Sequence, residues 1–203
     1  MLEPGKYYHI YNRGNNREDI FKESKNYDYF LKLYEYHISP VADTFAYCLM
    51  KTHFHFLVRI KDVFETETSK VLGTSEVSEQ KPVNASQKFS NLFNAYSKAI
   101  NKSYNRTGSL FQDRFRRIEI DSDLYFARLV HYIHFNPQHH GFTDDFRTYP
   151  HSSYQLILSE QVTTLHRAAV IQWFGGKKDF IEFHTNISSE KELKRFIGDD
   201  DSY

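Results

Sequence analysis

The chain has 203 residues, of which 26 are lysine or arginine and 26 are aspartate or glutamate, so its formal net charge is zero. Hydrophobic residues make up 40% of the sequence, which is enough for a folded core and excludes a wholly disordered protein. No apolar run reaches the ~18 residues that a membrane span needs, there is no signal-peptide pattern, and the single cysteine, Cys48, excludes a disulfide framework and a cysteine-rich zinc site.

The first half of the chain predicts strand, helix, strand and strand in that order. A short aromatic and β-branched run predicts a strand over 6–12, and apolar residues at helical spacing predict a helix over 24–38. Two further strands are predicted over 43–50 and 54–60. The segment 61–83, rich in serine, threonine and glutamate, predicts a long loop.

The second half adds a helix, a strand and another helix. Apolar spacing predicts helices over 85–105 and 124–135, the latter ended by Pro137, and a strand over 115–120 between them. The resulting order, β-α-β-β-α-β, predicts an α+β fold of the ferredoxin-like type. In that fold, four antiparallel strands are backed by two helices on one face. The helix at 124–135 is an addition after the last strand.

The spacing of apolar residues, from which helices and strands are predicted, becomes less regular after residue 158. We expect residues 1–158 to form one domain that contains the sheet, its helices and the long loop. Residues 159–203 are less regular, and we expect them to form a C-terminal helical extension with short helices at about 163–171 and 178–184.

Charge is unevenly distributed along the chain. Residues 84–120 contain seven basic and two acidic side chains, whereas 61–83 and 188–203 each contain three basic and five acidic ones. A basic stretch in a neutral protein is typical of a nucleic-acid contact, although a solvated helix face has the same composition. The aromatic share of 17% suits core packing and also stacking on unpaired bases.

Two histidines begin the third predicted strand. Because side chains alternate across a strand, His53 and His55 share one face and Phe54 belongs to the other. Strand residues two apart are separated by ~6.6 Å along the backbone, so two imidazoles can converge on one metal ion. The simpler alternative is a pair of polar residues on an exposed strand face.

Tyr132 and Asn136 are one turn apart on the last long helix, and Arg128 and Tyr125 share their face. Apolar side chains such as Phe126 form the core stripe about a third of a turn away. Tyr132 is therefore expected at the edge of the buried face with its hydroxyl directed outward. A half-buried core tyrosine is the alternative to a nucleophile.

Several short segments, in this order and at this spacing, resemble a known family. They are YYH (7–9), NRG (12–14), AYCLM (46–50), HFHFLV (53–58), GSLFQDRF (108–115), YIHFNP (132–137) and YPHSSY (149–154). The combination covers roughly residues 4–158 and resembles the single-tyrosine HUH transposases. Within them it resembles the IS200-like branch associated with repetitive extragenic palindromes (REP).

The resemblance implies a cytoplasmic, bacterial-type nuclease that cuts single-stranded or hairpin DNA and acts as a monomer or a homodimer. It implies that His53, His55 and Asn136 bind Mg²⁺ or Mn²⁺. Tyr132 would be the nucleophile, giving a 5′-phosphotyrosine and a free 3′-OH. The residues expected to bind DNA are Arg13, Arg17, Lys98, Lys102, Arg106, Arg114, Arg116 and Arg117, with Arg128 and Gln112 in support.

Two other functions use part of the same residues. A module of the same fold could bind a DNA hairpin without cutting it. A metal-dependent hydrolase could use His53 and His55 with a water nucleophile, but such sites usually include carboxylate ligands, and no nearby acidic motif supplies them. A covalent protein–DNA adduct would distinguish the transposase from both alternatives.

Overall fold

The computed structural model describes residues 1–62, 64–66 and 80–186, so the acidic stretch 188–203 lies outside the described residues. The strands are β1 (Tyr7–Arg13), β2 (Ala42–Met50), β3 (His53–Ile60), β4 (Phe64–Thr66), β5 (Gln80–Pro82) and β6 (Arg116–Ile120). The helices are α1 (Ser24–His37), α2 (Ala85–Ser103), α3 (Asp123–His139), α4 (Tyr154–Leu158), α5 (Arg167–Trp173) and α6 (Lys177–Asn186). None of the described helices is long and apolar enough to cross a lipid bilayer.

Four of the strands form one antiparallel sheet in the order β2-β3-β1-β6. The first strand therefore lies between the third and the last of the four, which confirms the predicted ferredoxin-like arrangement. The observed strand ends differ from the predicted ones by at most one residue, and α1 and α2 end within two residues of their predicted positions.

The prediction of one long loop over 61–83 is wrong in part, because β4 and β5 pair with each other there. Strands of three residues are too short to produce the alternating pattern from which strands are predicted. Residues 63 and 67–79 of this segment lie outside the described part of the chain.

α1 and α2 cover the sheet face that carries Phe54 and Phe56. The ring of Phe30 in α1 lies 5.3 Å from that of Phe54, and Tyr34 stacks on Phe56 at 4.3 Å. Phe93 in α2 lies 5.4 Å from Phe54. All of these side chains are buried, so this face holds a large aromatic core. Because strand side chains alternate, the two histidines of β3 belong to the opposite face.

α3 packs on that opposite face, against β2 and β3, and is longer than predicted. It was expected to end near residue 135, before Pro137, but it continues through the proline to His139. A proline lacks the backbone N–H that an interior helical residue donates. Pro137 lies in the last turn, and the hydrogen bonding resumes after it, with the N–H of His140 donating to the carbonyl of Asn136 at 3.0 Å. The extra turn brings His140 over the sheet.

β2 is an edge strand of the sheet, and the C-terminal part of the chain covers its free edge. Three backbone hydrogen bonds of 2.8–2.9 Å make this contact, from Leu49 to the carbonyl of His151, from Ser153 to that of Tyr47 and from His166 to that of Thr44. These bonds satisfy groups that an exposed edge would offer to another chain. They also hold the chain that leads into α4 and α5 beside the sheet.

The helices after residue 158 lie near their expected positions. α6 covers the helix expected at 178–184, and α5 begins four residues after the start expected at 163. The later start follows from residues 165 and 166, which instead contact β2 through a bridge and a hydrogen bond at Thr44.

Candidate active site

β1 and β3 place aromatic and basic side chains on the sheet face under α3. In the register of these strands, Tyr11 lies opposite His55 and Arg13 lies opposite His53. Because residues two apart share a face, His9 belongs to the same group. The rings of His53 and His55 lie 5.3 Å apart and nearly perpendicular, and both side chains are buried.

Each histidine of β3 is hydrogen-bonded through Nδ1 to a neighbouring side chain. Nδ1 of His55 lies 2.9 Å from Nε2 of His9, and Nδ1 of His53 lies 2.9 Å from the hydroxyl of Thr52. The ring of Tyr11 stacks on those of His9 at 4.7 Å and His55 at 5.6 Å. With Nδ1 engaged in this way, Nε2 is the nitrogen through which either β3 histidine would bind a metal ion.

α3 and its C-terminal end bring Tyr132 and His140 over these histidines. The ring of Tyr132 lies edge-on to His55 at 5.5 Å, and that of His140 lies edge-on to His53 at 4.8 Å. Asn136 stands one turn from each of them and is fully buried. Its side-chain oxygen has no hydrogen-bond partner among the described residues. We call His9, His53, His55 and His140 the sheet-side cluster.

The burial of Tyr132 differs from the sequence-based expectation. Its side chain was expected at the edge of the buried face with the hydroxyl outward, but it is only 5% exposed. The reason is that its ring packs edge-on against His9, at 6.2 Å, as well as against His55. Tyr125, expected on the same helix face, is buried too. Tyr132 therefore lies against the sheet-side cluster rather than at the protein surface.

His9 and His140 were not predicted from the sequence as site residues. His9 stands two residues before Tyr11, so alternation along β1 places both side chains on the same sheet face. Only the pairing of β1 with β3 reveals that His9 meets His55. His140 follows Asn136 by one turn, and the expected helix end at the proline concealed that relation.

The basic residues predicted to bind DNA occupy several parts of the surface. Arg13 lies opposite His53 and Arg116 lies opposite Tyr11, so both belong to the sheet face of the candidate site. Arg117, one residue on, belongs to the other face. The other exposed members of the set are Arg17, Lys98, Lys102 and Arg114.

Arg106 and Gln112 make contacts that support the loop before β6. Arg106 forms an ion pair with Glu18 and donates to the side-chain oxygen of Asn101 at 2.6 Å, and its side chain is only 13% exposed. The backbone N–H of Gln112 donates to the carbonyl of Arg13 at 2.9 Å. Gln112 also lines a cleft of about 280 Å³ between this loop and α2. The charge of Arg106 is thus compensated within the protein.

A second histidine group lies on another side of α3, where α6 packs. Nδ1 of His184 donates to the carbonyl of Phe180 at 2.7 Å, so its Nε2 accepts from Nδ1 of His134 at 2.9 Å. Nε2 of His134 then accepts from the hydroxyl of Ser153 at 2.8 Å. The ring of His131 lies 5.3 Å from that of His184. We call His131, His134 and His184 the outer cluster.

Burial governs the protonation of the outer cluster. It lowers the pKa of His131 to about 4. Burial, followed by the charge that His131 would carry, lowers the pKa of His184 to about 3. Burial also holds the pKa of His134 well below its usual value. All three rings are therefore neutral at pH 7, and each ring nitrogen of His134 and His184 is bonded within the protein.

The candidate site contains nitrogen and oxygen donors of the kinds that bind metal ions. Within residues 1–62, 64–66 and 80–186, no three histidine, cysteine or acidic side chains form a metal-binding group. The residues predicted as ligands, His53, His55 and Asn136, carry two imidazoles and an amide oxygen, and that oxygen is buried without a hydrogen bond from the described residues. Such a set fits a divalent ion that accepts both nitrogen and oxygen ligands, as Mn²⁺ does.

The fold of this protein is similar to that of a solved structure, whereas sequence comparisons give no match. No protein-family model and no curated protein matches the sequence. A solved structure of a REP-associated tyrosine transposase bound to a REP hairpin is similar, with a TM-score of 0.56 and 14% sequence identity. The match covers 79% of this chain and 83% of that one. At this identity the likeness concerns the fold alone.

Proposed function

We propose that this protein cuts single-stranded DNA next to a hairpin, using the hydroxyl of Tyr132 as nucleophile, and rejoins DNA ends as a transposase. The observation that carries the proposal is the position of Tyr132, edge-on to His55 at 5.5 Å and one turn from the buried amide of Asn136. The hairpin bound by the similar structure supports DNA as the substrate.

The ligands proposed for a metal ion are Nε2 of His53, Nε2 of His55 and the side-chain oxygen of Asn136. The engagement of both Nδ1 atoms supports this assignment, as does the burial of the Asn136 oxygen without a partner among the described residues. Mn²⁺ or Mg²⁺ bound there would polarise the scissile phosphate and stabilise the departing oxygen.

The proposed reaction exchanges one phosphate ester for another. The Tyr132 oxygen forms a bond to phosphorus while the bond from phosphorus to the 3′ oxygen breaks. The bonding electrons go to the 3′ oxygen, which takes up a proton, and the phenol loses its proton to solvent. Because the ester is conserved as a 5′-phosphotyrosine, a new 3′-OH can later displace the tyrosine without ATP.

Arg128 is proposed to assist the nucleophile. A free tyrosine has a pKa of ~10, so little phenolate is present at neutral pH. Arg128 lies one turn before Tyr132 in α3 and is half-buried, so its charge is less screened than that of a fully exposed arginine. A positive charge on this face favours the phenolate over the phenol.

Arg13 and Arg116 are proposed to hold the DNA backbone beside the site. They extend from neighbouring parts of β1 and β6 on the face that carries the sheet-side cluster. Arginine binds phosphate through paired donors, so two arginines near the tyrosine can align a single strand. Lys98, Lys102 and Arg114 are exposed and would add charge away from the cut.

Tyr132→Phe tests the proposal, with Tyr125→Phe as the matched control. An oligonucleotide with a hairpin and a single-stranded flank, labelled at its 3′ end, is incubated with each protein and Mn²⁺. We expect wild type and Tyr125→Phe to form a labelled covalent adduct and Tyr132→Phe to form none while still binding the hairpin. An adduct of normal yield on Tyr132→Phe would refute the assignment.

A hairpin-binding module without cleavage is the second candidate, and the exposed basic residues near the site favour it as much as they favour the enzyme. In that case wild type and Tyr132→Phe would bind the hairpin equally and neither would form an adduct. A hydrolase that uses water would cut the DNA without an adduct. Denaturing gel electrophoresis of the labelled DNA, which resolves uncut DNA, cut DNA and adduct, therefore distinguishes all three functions.

A further inference from the structure

We propose that His9 is a positioning residue that fixes the tautomer of His55, so that Nε2 of His55 is the nitrogen presented to a metal ion. The proposal rests on the metal site of the proposed function. It adds a residue of β1 to that site, and it assigns the direction of one buried hydrogen bond.

The first observation is the geometry of the pair. His9 lies opposite Leu57 in the register of β1 and β3, which makes it the diagonal neighbour of His55. Nε2 of His9 and Nδ1 of His55 are 2.9 Å apart, and the two rings are stacked with centroids 5.1 Å apart. His9 is fully buried and His55 is only 4% exposed, so the bond is shielded from competing water.

The second step is the direction of that bond. A hydrogen bond between two neutral imidazoles contains one hydrogen, on one of the two facing nitrogens. If His9 donated it, His55 would carry its own hydrogen on Nε2 and could not bind a metal ion there. If His55 donates it from Nδ1, Nε2 of His55 holds a lone pair. Only the second arrangement allows His55 to act as a ligand.

Neighbouring rings hold the two imidazoles in position. Tyr11 stacks on His9 and on His55, and Tyr132 lies edge-on to both histidines. Rotation of His9 would break these contacts together with the hydrogen bond. The positions of both rings are therefore fixed by packing before any ligand binds.

The choice of an imidazole as acceptor also has an electrostatic consequence. Metal-binding histidines commonly donate to a carboxylate or a backbone carbonyl. A carboxylate beside His55 would add negative charge to a site that must admit a phosphodiester. An imidazole acceptor such as His9 accepts the hydrogen bond without adding a negative charge.

The test compares Mn²⁺ binding by four variants of the full chain, measured by electron paramagnetic resonance without DNA. We expect His9→Leu to weaken Mn²⁺ binding by ~10–100-fold, the usual effect of removing a partner of a metal ligand. His9→Gln, whose side-chain oxygen can accept the same bond, should recover most of the affinity. His131→Leu, a buried histidine of the outer cluster, should bind as wild type does, and His53→Ala should not bind.

The outcomes distinguish this proposal from the proposed function. If His53→Ala loses Mn²⁺ and His9→Leu binds it as tightly as wild type, the role of His9 is overturned and the metal site stands. If wild type itself does not bind Mn²⁺, the metal site and the role of His9 are both overturned.

A second measurement uses the unmodified protein, so it does not depend on whether His9→Leu folds. Long-range ¹H–¹⁵N correlation spectra report which nitrogen of each imidazole is protonated. We expect the hydrogen of His55 on Nδ1 and that of His9 also on Nδ1. A hydrogen on Nε2 of His55, with Nδ1 accepting from His9, would overturn the proposal.

Discussion

The sheet-side cluster and the outer cluster contain the same residue type on two sides of one helix, but they differ in where their hydrogen bonds end. In the outer cluster, the chain from Ser153 through His134 and His184 ends at the backbone carbonyl of Phe180. In the sheet-side cluster, the Nδ1 atoms of both β3 histidines are bonded, and the neighbouring amide of Asn136 keeps an oxygen that no described residue satisfies.

For His134 and His184, whose ring nitrogens are all bonded within the protein, this difference indicates a structural role better than burial does. The three strand histidines of the sheet-side cluster and all three of the outer cluster are buried. In the outer cluster, His134 and His184 use their donors and acceptors to join α3, α6 and the start of α4. His131 contacts them through ring packing, and neither of its ring nitrogens has a hydrogen-bond partner among the described residues. The sheet-side cluster lies beside Arg13 and Arg116. We therefore expect changes to the outer cluster to affect stability and changes to the sheet-side cluster to affect chemistry.

The largest expected effect on activity follows from His53→Ala. Loss of a direct metal ligand should reduce Mn²⁺-supported cleavage by more than the ~100-fold found for indirect partners of a ligand. Hairpin affinity should change by less than about two-fold, because backbone affinity depends on arginine and lysine. His131→Leu is the control and should cleave normally. Cleavage that persists in excess chelator would contradict the metal role.

The outer cluster makes stability depend on pH. The folded-state pKa of His131 is about 4 and that of His184 about 3, both below the ordinary value of 6.5, because the rings are buried. The unfolded chain therefore takes up protons first as pH falls. The contribution of these rings to stability is complete above pH 7 and decreases below pH 6.5, by up to about 1.4 kcal/mol per pH unit for each histidine.

Urea unfolding at pH 7.5, 6 and 5 measures this dependence. In His131→Phe, the free energy of unfolding should depend less on pH by the contribution of one histidine, because phenylalanine cannot take up a proton. A free energy of unfolding that is unchanged between pH 7 and pH 5 would show that these rings are not neutral and buried in the folded protein.

The smallest expected effect distinguishes two arginines of the basic stretch. Arg116→Ala should weaken hairpin binding by about 1 kcal/mol and reduce the slope of log affinity against log salt by about one, the effect of losing one phosphate contact. Arg106→Ala should leave that slope unchanged and lower stability instead, because its charge is paired with Glu18. Equal salt slopes for the two variants would contradict the distinction.

Sequence patterns predicted the sheet and the placement of the candidate residues within each element, because both depend on short-range spacing. Alternation places His53 and His55 on one face, and helical spacing places Asn136 one turn after Tyr132. The bond between His9 and His55 depends on the pairing of strands 46 residues apart, and the ion pair of Arg106 joins residues 88 apart. No local pattern contains such pairings.

The burial of Tyr132 could not be predicted from local sequence patterns either. A helical projection gives the direction of a side chain but not what covers it, and the cover here is provided by histidines of two other elements, β1 and β3. The apolar stripe of α3 predicts which side meets the core. It does not predict that α6 meets another side of the helix through the bond between His134 and His184.

The proposed function depends most on the identity of the nucleophile, and mapping of the protein–DNA adduct tests that identity directly. Unmodified protein is incubated with hairpin DNA and Mn²⁺, digested with protease and analysed by mass spectrometry. We expect an oligonucleotide joined through its 5′ phosphate to the peptide that contains Tyr132. An adduct on Tyr125 or any other tyrosine, or cleavage with no adduct, would contradict this assignment.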